Sequence, residues 1–146
     1  MGASAWNYLT TYHENLATTL QALRHQVFTD DDYLLPAPAE PDLPPPASIE
    51  ELFADEEVQH SGTHSILDVH RIIEPDEYDD FGTVRPLTPD QVLACFGTTH
   101  PTVADYDRVR TTGDLHDDCP RWSGRATLLY DNGTPTHAAF WGISGD

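Results

Sequence analysis

Asn132-Gly133 stands between two apolar segments, Arg125–Tyr130 and Thr134–Trp141. An Asn-Gly pair accepts the positive φ angles of a tight two-residue turn. Set between apolar runs, it predicts a β-hairpin at the C-terminal end of the chain. Pro135 has no backbone N–H to give to a ladder, so the second strand begins at or after it, or lies at an edge there.

Upstream, Leu9, Tyr12, Leu16, Leu20, Leu23 and Val27 recur at spacings of three and four. That period stacks side chains on one helical face and predicts a core-facing helix from about Ala5 to Phe28, with Ser4 as N-cap. Ser48-Ile49-Glu50-Glu51 has the capping-box pattern of a short helix reaching about Ala54. His64–Ile73 is rich in β-branched residues, lacks Gly and Pro, and reads as a strand. Thr88-Pro89-Asp90-Gln91 combines an N-cap, a first-position proline and a capping-box glutamine; the helix it opens should run to Phe96 and stop at Gly97. Another short helix follows Pro101, carrying Val103, Tyr106 and Val109 and ending before Gly113. Glu74–Gly82 and Gly113–Gly124 read as polar loops. The expected fold is α+β: a long N-terminal amphipathic helix on a small, mainly antiparallel sheet, with short helices and a C-terminal hairpin.

The chain has 146 residues and is 38% apolar, enough for one modest core and a single domain. Residues 30–57 interrupt it. They hold ten carboxylates (Asp30, Asp31, Asp32, Glu40, Asp42, Glu50, Glu51, Asp55, Glu56 and Glu57) and no basic residue. Within them, Pro36–Pro46 is proline-rich, which fixes φ and removes donors, so the stretch at about 30–47 is an extended crossing segment rather than a strand.

Of the formal charge of −18, residues 30–57 contribute −10 and residues 58–90 a further −5, from seven acids and two arginines. A one-sided field of this sign speeds encounter with a basic partner and repels nucleic acid and anionic lipid. Tyr33, Leu34, Leu35, Leu43, Ile49, Leu52 and Phe53 interleave the band as apolar anchors. These features predict a small acidic binding protein, of inhibitor or immunity type, that engages a basic protein through Asp30, Asp31, Asp32, Tyr33, Glu50, Glu51 and Phe53. The opposing expectation is that the apolar residues fold back onto the core and the acids only solubilise the chain. No basic-then-apolar leader or long apolar run is present, which points to the cytoplasm, with no membrane span and no direct nucleic-acid binding.

All seven basic residues are arginine. The absence of lysine excludes Schiff-base chemistry and the lysine of a phosphate-binding loop. Arg108, Arg110, Arg121 and Arg125 are placed to neutralise Asp105, Asp107, Asp114, Asp117 and Asp118. Cys95 and Cys119 are too few for a disulfide framework and read as reduced thiols. Cys119 follows His116-Asp117-Asp118, an arrangement with nucleophile, base and orienting residue types, yet nearby carboxylates raise a thiol's pKa.

The alternative function is a metal-dependent hydrolase built on His60, His64, Asp68 and His70. Imidazoles with a carboxylate suit zinc or another divalent metal, which would activate water at an open position. On a strand His64, Asp68 and His70 share a face. At ~3.3 Å per residue, however, positions 64 and 70 lie roughly 20 Å apart, leaving only Asp68 with His70, or His60 with His64, as local ligand pairs. A third arrangement is a small-molecule pocket lined by Trp6, Tyr12, Trp122, Tyr130 and Trp141.

Overall fold

The computed structural model describes residues 4–34, 44–112 and 114–145. Leu35, Glu40, Asp42, Leu43 and most of the proline-rich run lie outside the described residues.

The hairpin forms as the Asn-Gly pair requires. Asn132 and Gly133 have φ of 52° and 80°, both in the left-handed region a type I′ turn needs. They join β4 (Ser123–Asp131) to β5 (Thr134–Ile143). The antiparallel register runs from Asp131 opposite Thr134 to Ser123 opposite Ile143, with a bulge between Leu129 and Tyr130. β5 is interior to the sheet, but β1 pairs with it only as far as His137. Pro135 therefore meets no ladder on that side.

β1 occupies Ala5–Thr11 and corrects the expectation of a helix from residue 5. These residues pair antiparallel with β5 along their whole length, from Ala5 opposite Ile143 to Thr11 opposite His137. Trp6 turns inward and is 4% exposed, while Leu9, which the helical stripe required inside, is 42% exposed. The helix starts only at α1 (Leu16–Thr29), where Asn15, not Ser4, is the N-cap and accepts from the Thr18 N–H. Two causes decide this. Trp6, Tyr8, Thr10 and Thr11 are mediocre helix formers that suit a pleated surface. The open edge of β5 also offers a seven-residue ladder that no local pattern discloses. Glu14, at φ 57°, turns the chain between strand and helix.

The expected strand His64–Ile73 is also corrected. Ser65 accepts from the Leu67 N–H and caps a 3₁₀ turn at Ile66–Asp68, and only Arg71–Ile72 forms β2. Side-chain oxygens of Ser65 and Asp68 bind nearby backbone N–H groups and so compete with a ladder. Ile66, Leu67 and Val69 are all buried, which the alternation of a half-exposed strand forbids.

β3 (Thr83–Pro86) completes a five-stranded sheet of order β1-β5-β4-β3-β2. The sheet is mixed: the two long pairings are antiparallel, while β2–β3 and β3–β4 are short and parallel. Helices cover both faces. On one, α1 packs with α2 (Ile49–Leu52), α3 (Glu56–Ser61) and the 3₁₀ turn over Trp6, Val84, Ala126, Ala138 and Phe140. On the other, α4 (Pro89–Phe96) and α5 (Val103–Arg110) pack over Leu129, Ala139 and Trp141. α4 has both arms of its capping box, and Gly97 ends it at φ 77°. Among the described residues no helix is long and apolar enough to cross a membrane.

Candidate functional site

The described part of the acid band runs from the end of α1 into α2 and α3. Asp30 is the C-cap of α1, Asp31 sits at φ 54°, and the Asp32 N–H donates to the Val27 carbonyl at 3.0 Å. Ser48 caps α2 through the Glu51 N–H, and Glu51 Oε2 accepts from the Ala47 N–H at 3.0 Å. Asp55 caps α3, accepting from the Glu57 N–H at 2.8 Å. Several carboxylates thus stand beside the positive ends of short helices, where negative charge is favourable.

Those local roles leave most of the charge facing outward. Asp30, Asp31, Asp32, Glu50, Glu51, Asp55, Glu56 and Glu57 are all exposed. Among the described residues none of them enters an ion pair; the arginines are held elsewhere. Arg108 pairs with Asp105 at 3.0 Å and Arg110 with Asp107 at 2.9 Å. Arg71 approaches Asp80 and Arg85 approaches Asp79. Arg24, which feels the charge of Glu50, is half-buried and donates to the Leu67 carbonyl at 3.2 Å. Burial pulls its pKa down, against the upward pull of Glu50 and Asp68.

The apolar anchors divide. Tyr33 stacks on Phe28 with ring centroids 5.9 Å apart, and Tyr33, Ile49, Leu52 and Phe53 all pack on the core. Leu34 remains 64% exposed. Tyr33 and Phe53 are half-buried, so each offers a partner an edge rather than a free side chain.

The four residues of the metal reading do not converge. His60 lies on α3 with Nδ1 2.8 Å from the Glu56 carbonyl. His64 adopts φ 57° at the start of the loop into the 3₁₀ turn, its imidazole and amide near enough to Asp68 to lower that carboxyl's pKa. His70 and Asp68 line one cavity of about 430 Å³ with Arg24, Phe53 and Phe81. Among the described residues no three of His, Cys, Asp and Glu form a group able to hold a metal ion.

Asp68 is nevertheless unusual. It is 3% exposed, and its Oδ1 accepts from the Thr63 N–H at 2.7 Å and the Thr63 hydroxyl at 2.9 Å. Its Oδ2 has no hydrogen-bond partner among the described residues and lies against Gly62, where a Cβ would approach it to 2.5 Å. Burial raises its pKa from 3.8 to about 6, against the Thr63 hydrogen bonds and the His64 charge. His70 is pushed the other way by burial and by Arg24 and Arg71.

The second cluster is also dispersed. His116 Nε2 meets the Trp6 carbonyl at 3.0 Å, while the Cys119 thiol donates to the Ser123 carbonyl at 3.3 Å. Burial raises the Cys119 pKa, disfavouring the thiolate. The five aromatics of the third arrangement do not line one pocket: Trp6 and Trp141 lie on opposite faces of the sheet.

Sequence reasoning set Arg125 against Asp118, which it approaches at 3.9 Å, but missed its pairing with Asp79. Arg125 is 1% exposed and grips Asp79 with two bonds of 2.7 and 2.9 Å, with a third to the Asp118 carbonyl at 2.9 Å. The fork ties the 74–82 loop and the 117–122 loop to β4. The only available signal was an arginine in an otherwise apolar strand.

Comparison with protein-family models, with curated proteins and with solved structures finds no match. The fold and surface define a class only: an α+β domain with a mixed five-stranded sheet, helices on both faces and an uncompensated acid band at one of them.

Proposed function

We propose that this protein is a non-enzymatic binding protein, of inhibitor or immunity type, that engages a basic protein through its acid band. One observation carries the reading: eight exposed carboxylates in the described parts of residues 30–57, none in an ion pair among the described residues. Charges set within about one Debye length, roughly 8–10 Å, act together on an approaching partner. Asp30, Asp31, Asp32, Glu50 and Glu51 provide the field; Tyr33 and Phe53 provide apolar edges beside it.

The test replaces those five acids by their amides. Tagged wild type and variant are used to capture a partner from the native host, and association is then timed by stopped flow against the purified partner. Steering of this kind raises association rates by about ten- to a thousandfold. The variant should associate at least about tenfold more slowly at low salt, with the two rates converging as salt rises. Equal rates at low salt would refute the proposal.

A further inference from the structure

A cavity of about 500 Å³ opens on the face of the sheet opposite the acid band, between α4, α5 and the 114–118 segment. That volume suits a small organic ligand. Trp141 lines it and is 1% exposed, yet its indole Nε1–H has no hydrogen-bond partner among the described residues. A buried donor left in this way is penalised, so a ligand that satisfies it gains accordingly.

The other polar groups sort clearly. Gln91 Oε1 accepts from the Thr88 N–H, and the Thr112 hydroxyl donates to the Val109 carbonyl, so both are committed to their helices. The walls are otherwise Leu87, Ala94, Cys95, Val109 and Leu115. At the rim stand Asp114, Asp117 and Asp118, all exposed, and among the described residues no arginine or histidine lines the cavity. Asp118 lies 3.9 Å from Arg125. Asp114 and Asp117 enter no ion pair among the described residues.

We infer that this cavity binds a small organic cation: an apolar, preferably aromatic body against Leu115 and Trp141, an acceptor oxygen for the indole N–H, and a protonated amine at Asp114 and Asp117. An anion would meet carboxylates and no base. A neutral ligand would forgo the rim.

Three probes with one aromatic body and an end group of different charge test this: p-methoxyphenethylammonium, p-methoxyphenethyl alcohol and p-methoxyhydrocinnamate. Binding is read by calorimetry and by the indole N–H resonances of uniformly nitrogen-labelled protein, with Trp141→Phe assigning the Trp141 signal. The ammonium should bind best and the carboxylate worst, with the Trp141 resonance moving most. Asp114→Asn/Asp117→Asn should weaken the ammonium by about threefold to fivefold, the scale of an exposed ion pair, and leave the alcohol unchanged. Ala94 is exposed at the mouth, so Ala94→Trp should plug the cavity without disturbing the core and abolish both. No saturable binding in the millimolar range, equal affinity for ammonium and carboxylate, an unshifted Trp141 signal, or a double-Asn variant that holds the ammonium as tightly as wild type would each overturn the inference. The acid band is untouched by these variants, so the outcome is independent of the proposed partner.

Discussion

Asp68 should make the protein less stable as pH rises through the weakly acidic range, opposite to the behaviour of a surface carboxylate in an ion pair. Its carboxyl titrates at 3.8 when unfolded and about 6 when folded, because burial penalises the charge more than the Thr63 hydrogen bonds and His64 favour it. Between those values the folded state holds a proton that the unfolded state has released. Stability is therefore highest below about pH 4 with respect to this group, and is lost progressively as pH climbs from there through about 6. A displacement of about 2 pKa units, at about 1.36 kcal/mol each, amounts to about 3 kcal/mol.

The other carboxylates titrate as well, so the quantity to measure is a difference. Asp68→Asn keeps an oxygen for the two Thr63 donors and removes the titration. Urea unfolding of wild type and variant, followed by fluorescence at intervals from about pH 4 to about pH 7.5, yields two stability curves. Wild type minus variant should fall by about 2 kcal/mol across that range, since part of the total already lies below pH 4. A flat difference would mean that the site is wetter than the 3% exposure of Asp68 implies. A rising one would mean that His64 and the Thr63 bonds outweigh burial. Either result refutes the reasoning.

Arg125→Met should cost about 3 kcal/mol, because it leaves the Asp79 carboxylate only the longer Arg85 contact at 3.6 Å and leaves the Asp118 carbonyl without its donor. Arg125→Lys should recover less than half, since an ammonium has no planar fork for two parallel bonds; urea midpoints equal to wild type would contradict both. Gly142→Ala should cost more than Gly133→Ala. A Cβ at 142 would lie 2.3 Å from Trp6 Cζ2 and 2.5 Å from the Ser123 carbonyl, whereas one at 133 meets nothing and suffers only from φ 80°. Costs of about 1–3 kcal/mol are expected for the first and about 1 kcal/mol for the second; thermal unfolding in the reverse order would sink the close-packing argument.

Elements whose signals are local were legible. The α4 boundaries follow from Thr88, Gln91 and Gly97, and the hairpin from Asn132-Gly133, because capping and turn geometry involve only neighbours. Residues 5–12 were not legible, because Leu9 and Tyr12 continue the spacing of Leu16, Leu20 and Leu23 while Trp6 and Tyr8 equally fit a strand. The long-range pairing with β5 decides between them. The 64–73 segment failed for the opposite reason: β-branched composition spoke for a strand, and the Ser65 cap with the Asp68–Thr63 bonds was the stronger local term. The acid band was plain in composition, but which anchors turn inward was not. Asp79 and Arg125 lie 46 residues apart in sequence, and only the fold joins them.

The five-acid variant separates field from fold because its stability effects oppose one another. Asp30 is the C-cap of α1, at the negative end of the helix, so its neutralisation stabilises by about 0.3–1 kcal/mol. Asp31 sits at φ 54°, a conformation that asparagine tolerates at least as well. Asp32 is exposed, and its known bond uses the backbone. On the other side, Glu50 and Glu51 stand in the first turn of α2, where losing each charge costs about as much as Asp30 gains. Glutamine at 51 still offers an oxygen to the Ala47 N–H. The net stability change should lie within about 1 kcal/mol of zero, while five charges leave the band. A slower association at unchanged urea midpoint then reports electrostatic steering alone. A large loss of stability would show that these carboxylates hold the 44–57 segment on the core, which makes their charge a feature of folding rather than of recognition.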